Sequence, residues 1–370
     1  MPQTRFSDNT LRIVIFAMLV TQLTCYKLWL AHEGFPSFPV AAVFGGWPGW
    51  LQAGMFYSSL LLMLITIVKP LKPVVGLLLL LQLLICLEDQ NRWQPWQYQC
   101  LFMLGAWLFI KEEKQRLWGW QLIMISTYFF SGLWKLNTGF IFDVWIAFIL
   151  KGWLGFNHIA SWAYRPGYAL PLVEMLSAIG LCFGHSRRLA VWLLAGMHIV
   201  ILLMMGPLGL NLNAVLWPWN IAMLLLLFGL FNKLSFHWIK PVQWKPFGWL
   251  IVICWSLLPW LHKADLWDRY LSSVLFSGEV PSLYICSNNA KALKEMAPYF
   301  RKNSLLPCNK TVSAFLWGGS TINCIPYPEK RNYINIARYW RSHFQDSSAR
   351  FFIFHTGYKR KIVEIKAGEY

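Results

Sequence analysis

The sequence predicts an all-α polytopic membrane protein of about nine transmembrane helices, followed by a small α+β extracytoplasmic C-terminal domain. Three observations carry this. The 370 residues are 57% hydrophobic and only 13% charged, against about 25% charged in a soluble domain. The apolar residues fall in long runs separated by short polar breaks, the pattern that bilayer-crossing helices require. Beyond Leu261 the composition changes abruptly, to 16 Lys/Arg against 8 Asp/Glu. The division expected is a transmembrane domain over 1–261 and an extracytoplasmic domain over 262–370.

The chain opens on Met1-Pro2-Gln3-Thr4-Arg5 and runs into an apolar stretch from Leu11 to Ala31. That stretch is too long for a signal-peptide core and no small-residue cleavage site follows, so it reads as an uncleaved first span. The spans expected lie at about 11–31, 49–68, 73–88, 94–110, 117–136, 168–184, 188–205, 214–231 and 245–261. Lys and Arg concentrate in alternate loops. Arg5, Arg12, Lys69, Lys72, Lys111, Lys114, Arg116, Arg187, Arg188, Lys233, Lys240 and Lys245 form one set, and Arg92, Lys135, Lys151 and Arg165 the other. Twelve against four puts the N-terminus in the cytoplasm and the tail outside an inner or plasma membrane. This asymmetry and the basic tail account for the net charge of +17, which therefore does not point to nucleic acid. The expected partners are the lipid bilayer and, through the tail, an extracytoplasmic protein or lipid.

The loops carry the informative residues. His32 to Trp47 is rich in Gly, Pro and Phe and reads as a lid or a tight connection. Glu88-Asp89-Gln90-Asn91-Arg92-Trp93-Gln94-Pro95-Trp96 is a polar turn between two apolar runs. It reads either as a solvated turn with Trp93 and Trp96 in the aromatic belt or as the rim of a cavity. Phe140 to Phe156 mixes apolar residues with Asp143, Lys151 and Gly152, which suits a helix lying in the interface at about 140–156. Glu174 and His198 flank the turn His185-Ser186-Arg187-Arg188 at equal spacing, so both lie roughly 16 Å from it along antiparallel helices. Intramembrane Glu and His are costly and face inward toward partners, so these two are expected to pair, either as a helix tie or as a proton-handling site. Asn220, in Trp217-Pro218-Trp219-Asn220, is a further partner for polar groups within the bundle.

In the tail, Pro281–Cys286, Arg350–His355 and Lys361–Ile365 read as strands, with a hairpin at Thr356-Gly357, and Lys291–Phe300 and Ile336–Phe344 read as helices. Cys286, Cys308 and Cys324 lie there, and an oxidising compartment allows one disulfide among them. Asn309-Lys310-Thr311 is a glycosylation sequon, meaningful in a eukaryotic host. No Cys-x-x-Cys, zinc-binding cluster, Walker motif, dinucleotide fingerprint or nucleophile elbow is present, and no metal is expected.

Chemistry therefore falls to Lys135, Glu174, His198 and the outer turn. Lys135 ends the stretch Tyr128-Phe129-Phe130-Ser131-Gly132-Leu133-Trp134-Lys135-Leu136. A lysine at a helix end can snorkel to water as an anchor. It can instead act as a base where desolvation disfavours its charged form, and a pocket walled by Tyr128, Phe129, Trp134 and the interfacial helix would provide that.

Three blocks over roughly 88–225 resemble the vitamin K-dependent γ-glutamyl carboxylase superfamily, which includes the bacterial proteins with the horizontally transferred transmembrane (HTTM) domain. Trp93-Gln94-Pro95-Trp96-Gln97-Tyr98 is similar to the family's Trp-Asn-Asn-His-Ser-Tyr turn, with Trp96 in place of the histidine. Tyr128 to Leu136 is similar to its signature helix, with the active-site lysine falling on Lys135. Glu174 through Arg188 to His198 is similar to its acidic-helix, Ser-Arg, Phe-His arrangement. Tyr-Phe-x-x-Gly-x-x-Lys is also similar to the DoxX-like quinone-linked membrane proteins. The resemblance implies a quinol-dependent oxidase or epoxidase, or a carboxylase-like enzyme. It would act on a reduced quinone (menaquinol or vitamin K hydroquinone), with Lys135 as base, Glu174 and His198 assisting, and Tyr128, Trp134, Arg92, Trp93, Trp96 and Asn220 binding substrate. The alternative is a non-catalytic membrane scaffold that binds a lipid or a partner.

Overall fold

Apolar runs become helices because a backbone away from water must satisfy its own N–H and C=O groups. The structure, a computed structural model, describes residues 3–30, 34–232, 246–302, 305–308, 310–355 and 361–369. Its helical part comprises α1 (Gln3–Thr24), short α2 (Tyr26–Trp29), α3 (Gly49–Val68), α4 (Lys72–Glu88), α5 (Pro95–Phe109), α6 (Glu113–Trp134), α7 (Tyr164–Gly180), α8 (Gly184–Met205), α9 (Leu216–Leu227) and α10 (Pro246–Val252). α10 continues through π and 3-10 turns to Ala264. A π-helix, Phe140–Trp153, lies between α6 and α7. His32, Lys233, Lys240, Lys245, Asn309 and Thr356-Gly357 lie outside the described residues.

Each of the nine predicted segments is helical over most of its length, but nine membrane crossings are not supported. Among the described residues three helices are long and apolar enough to cross a membrane: α3, α8 and the run Pro246–Ala264. A crossing needs about 20 predominantly apolar residues. α4 has 17 and α5 has 15. α6 has 22 but starts on Glu113, Lys114 and Arg116. α7 has 17 with Pro171 inside it.

Amides hold the helices to one another. Gln22 of α1, Gln82 of α4 and Gln97 of α5 are all fully buried. Gln22 donates to Gln82 at 2.7 Å, Gln97 donates to Gln82 at 2.8 Å, and Gln82 donates to Ser59 of α3 at 2.9 Å. Four helices thus meet in one polar cluster. Leaving any of these groups unpaired in the interior costs about 1–3 kcal/mol.

The C-terminal region is a five-stranded antiparallel sheet in the order β2-β3-β1-β4-β5. The strands are β1 (Ser282–Cys286), β2 (Phe300–Arg301), β3 (Thr311–Ser313), β4 (Arg350–His355) and β5 (Lys361–Glu364). Tyr284 of β1 pairs Ser313 on one side and Phe352 on the other. The helices are α11 (Ala290–Glu295), α12 (Ala314–Thr321) and α13 (Lys330–Phe344). Three predicted strands and the second predicted helix stand. The first predicted helix stops at Glu295, since Pro298 cannot extend it, and the chain enters β2. β3 and α12 are elements that the pattern did not announce. Of the three tail cysteines, Cys286 and Cys308 form the disulfide.

The turn over 88–96 joins the two parts. Asp89 accepts from the amides of Phe38 and Asn91 and from the Asn91 side chain. The Asn91 side-chain oxygen accepts from Tyr327 N and Asn332 Nδ2, both at 3.0 Å. Gln94 donates to the Ile325 carbonyl at 3.1 Å. Arg92, 1% exposed, donates to the carbonyls of Leu28 and Ile85 and to Glu88 at 2.5 Å. The solvated-turn reading is therefore overturned: Gln90, Asn91 and Arg92 are buried.

Burial pushes the Asp89 carboxyl up from its ordinary 3.8 to about 6, against the pull of Arg92 and the amides of Asn91 and Phe38. The folded chain therefore keeps a proton there that the unfolded chain has released. The stability this group contributes is complete below about pH 4 and is lost as pH rises through about 6. Asp89→Asn keeps the acceptor oxygen and removes the ionisation. Thermal unfolding of the two proteins from pH 4 to 7.5 should show the variant gaining on the wild type by up to about 3 kcal/mol as pH rises. Parallel pH profiles would contradict this.

Candidate functional site

On α6 the residues at i, i+3, i+4 and i+7 share one face, and here they are Tyr128, Ser131, Gly132 and Lys135. The helix ends at Lys135, whose backbone N–H caps onto the carbonyls of Gly132 and Leu133. Gly132 lets α7 approach closely. A Cβ built there would stand 2.6 Å from Met175 N and 2.7 Å from the Pro171 carbonyl oxygen. The contact is with backbone, so only glycine fits without moving a helix. Pro171, inside α7, removes one N–H from the helix ladder at the same level.

This approach brings Lys135 to Glu174. The ammonium donates to Glu174 at 2.7 Å and to Ser131 Oγ at 2.8 Å. The Glu174 side chain is 5% exposed and that of Lys135 is 13%, so the lysine is the less enclosed of the two. Lys135 is thus not a snorkelling anchor, because its charge is satisfied inside the protein.

A second chain of bonds starts at Tyr128, about two helical turns before Lys135. Tyr128 Oη meets His198 Nε2 at 2.7 Å, and His198 Nδ1 meets the Asn220 side-chain oxygen at 2.7 Å. Asn220 donates in turn to the Leu216 carbonyl at 2.7 Å. The expected direct pairing of Glu174 with His198 is therefore corrected. Lys135 takes the glutamate, because the ion pair is the stronger partner, and Tyr128 and Asn220 satisfy both ring nitrogens. The Glu174 charge still acts electrostatically on Tyr128 and His198, so the five side chains form one polar cluster across α6, α7, α8 and α9.

A cavity of about 420 Å³ lies between the helices and the C-terminal region. Its walls include Trp96, Trp219, Leu216, Phe148 and Val274. Of the expected substrate-binding residues, only Trp96 lines it. Its indole N–H is buried without a hydrogen-bond partner. Arg92 is committed to carbonyls and Glu88. Trp93 packs on Tyr98 with ring centroids 6.4 Å apart. Trp134 donates to the Ser272 carbonyl at 3.0 Å and packs on Phe130 and Val274. Tyr128 and Asn220 belong to the polar cluster. The π-helix contributes Asp143, Val144 and Phe148 to the wall. Cluster and cavity share a boundary, since Leu216 lines the one and accepts from Asn220 in the other.

Sequence reasoning missed Ser131 as a partner of Lys135, although its spacing of four from the lysine was visible. It also missed Tyr270, Val274 and Cys324 in the cavity wall, which only the return of the tail onto the helices supplies. No group of three or more His, Cys, Asp or Glu among the described residues could hold a metal ion.

The close approach at Gly132 yields a direct test. Gly132→Ala should separate α6 from α7, lengthen the Lys135–Glu174 bond and lower the unfolding midpoint, at a cost of about 1–3 kcal/mol for overpacking. Leu133→Ala, on the opposite side of the helix, serves as the control for loss of bulk. A Gly132→Ala protein of wild-type stability with the bond intact would refute the constraint.

No family model matches this sequence, and neither a curated protein nor a solved structure was found to be similar to it.

Proposed function

We propose that this is an integral membrane protein, N-terminus in the cytoplasm and tail outside, that acts on a lipophilic quinol-type substrate with Lys135 as the base. The observation that carries the reading is the buried Lys135–Glu174 pair beside the Tyr128–His198–Asn220 chain. Passing the ammonium proton to Glu174 leaves a neutral amine and a neutral acid, and removes both charges from a buried place where charge is costly. The amine can then accept the proton of a quinol hydroxyl, and the quinolate so formed is the electron-rich species open to oxidation. His198, fixed by two hydrogen bonds, is suited to passing a proton between Tyr128 and its surroundings. The apolar cavity fits a quinone ring, and Trp96 offers an unused donor beside it. The resemblance of the Tyr128–Leu136 stretch to the carboxylase superfamily points the same way.

One observation favours a second reading, that of a non-catalytic lipid-binding scaffold. Lys135, Glu174 and His198 are not among the residues lining the cavity. Lipid extraction and mass spectrometry of the purified protein separate the two: a stoichiometric quinone supports the enzyme, and bulk phospholipid alone supports the scaffold.

Arginine retains a long cation but cannot give up its proton. Lys135→Arg should therefore leave insertion and folding intact and reduce quinol oxidation or oxygen uptake in membranes at least about 100-fold, the lower end of what general-base catalysis contributes. Glu174→Gln should fall in the same direction while keeping a hydrogen-bond partner for the lysine. Wild-type activity from Lys135→Arg would overturn the base assignment.

A further inference from the structure

Cys25 closes α1, and Cys324 follows α12 some three hundred residues later in the chain. They nonetheless meet. The Asn323 side chain donates to the Thr24 carbonyl at 2.9 Å, which brings the next residue of each segment, Cys25 and Cys324, close together, and the two thiols act electrostatically on each other. Neither is in a disulfide, and both are buried. The Cys25 sulfur is held in place, donating to the Thr21 carbonyl at 3.2 Å and accepting from Trp29 Nε1 at 3.4 Å. A separate cleft of about 230 Å³, lined by Thr24, Cys25, Lys27, Ser320 and Asn323, leads to Cys25. Cys324 lies instead in the wall of the large cavity. The same C-terminal region already carries the Cys286–Cys308 disulfide, and disulfides persist where the compartment is oxidising.

We propose that Cys25 and Cys324 are a redox-active thiol pair that closes to a disulfide by exchange with an external disulfide, tying the first helix to the C-terminal region. The Cys25 thiolate, reached through the cleft, attacks one sulfur of the external disulfide. The external S–S bond breaks and one thiolate leaves. The Cys324 thiolate then attacks the Cys25 sulfur of the mixed disulfide, and the second thiolate leaves. The two protons lost by Cys25 and Cys324 go to the two released thiolates. The protein pair is oxidised by two electrons and the external disulfide is reduced to two thiols. Because Cys324 lines the cavity, closing the bond fixes one wall of it. This inference is independent of the quinol reading.

The test uses the full-length protein in detergent, treated with oxidised glutathione, quenched in acid, alkylated and digested. The free thiols should fall from the six present in the structure to four, with a Cys25–Cys324 linked peptide in the mass spectrum that disappears on reduction. Cys324→Ser should trap one glutathione on Cys25, and Cys25→Ser should trap at least tenfold less. An unchanged count of six thiols, or pairing of Cys324 with Cys286 or Cys308, would overturn the proposal. Because the first readout is made on the wild type, a variant that fails to fold leaves it decided.

Discussion

Polar groups buried between apolar helices must find partners, since each one left unpaired costs as much as a good packing contact yields. That constraint organises this molecule. The fully buried glutamines tie α1, α4 and α5, the Lys135–Glu174 pair ties α6 to α7, and Tyr128, His198 and Asn220 tie α6 to α8 and α9. The apolar surfaces supply most of the burial, but they are interchangeable along a helix. The polar groups are not, so they set which helix faces which neighbour and at what depth.

The same logic separates structural polarity from chemical polarity. The turn over 88–96 is dense with charge, yet its charged side chains are spent on holding the chain. Arg92 has two carbonyls and a carboxylate, and Asp89 and Asn91 gather backbone amides from distant segments. Removing one partner of such a buried pair is expensive, at about 3–5 kcal/mol, because the other charge remains. The cluster on α6 differs in kind. Lys135 and Glu174 form a buried ion pair across two helices, and Lys135 retains partial exposure.

The C-terminal region is bound to the helical part by hydrogen bonds that each engage a side chain, and its apolar core is continuous with that of the helices. Trp317 donates to the Gly34 carbonyl and its ring meets Phe35 edge-on at 4.8 Å. The cavity lies at this junction, with one wall from the 88–96 turn, the π-helix and α9 and the other from residues 270–283 and 314–326. Anything that shifts the C-terminal region reshapes the cavity, whatever occupies it.

The sequence by itself determined the helical class, the positions of the apolar segments, the three main strands and the face of α6 that carries Tyr128, Gly132 and Lys135. These follow from periodicity and burial, which act along the chain and are readable there. It overstated the number of helices able to span a bilayer, because an apolar run looks the same whether lipid or protein covers it: α5 is covered largely by neighbours, and α4 and α7 fall short of a full crossing in length. Tertiary structure alone decided the partners. Equal depth made Glu174 and His198 equally available to each other. The approach at Gly132 gave the glutamate to the lysine instead, since a cation competes better than a neutral ring for a buried carboxylate. The cavity, the buried fate of Arg92 and the meeting of Cys25 with Cys324 likewise depend on contacts between residues far apart in the chain, which no local pattern encodes.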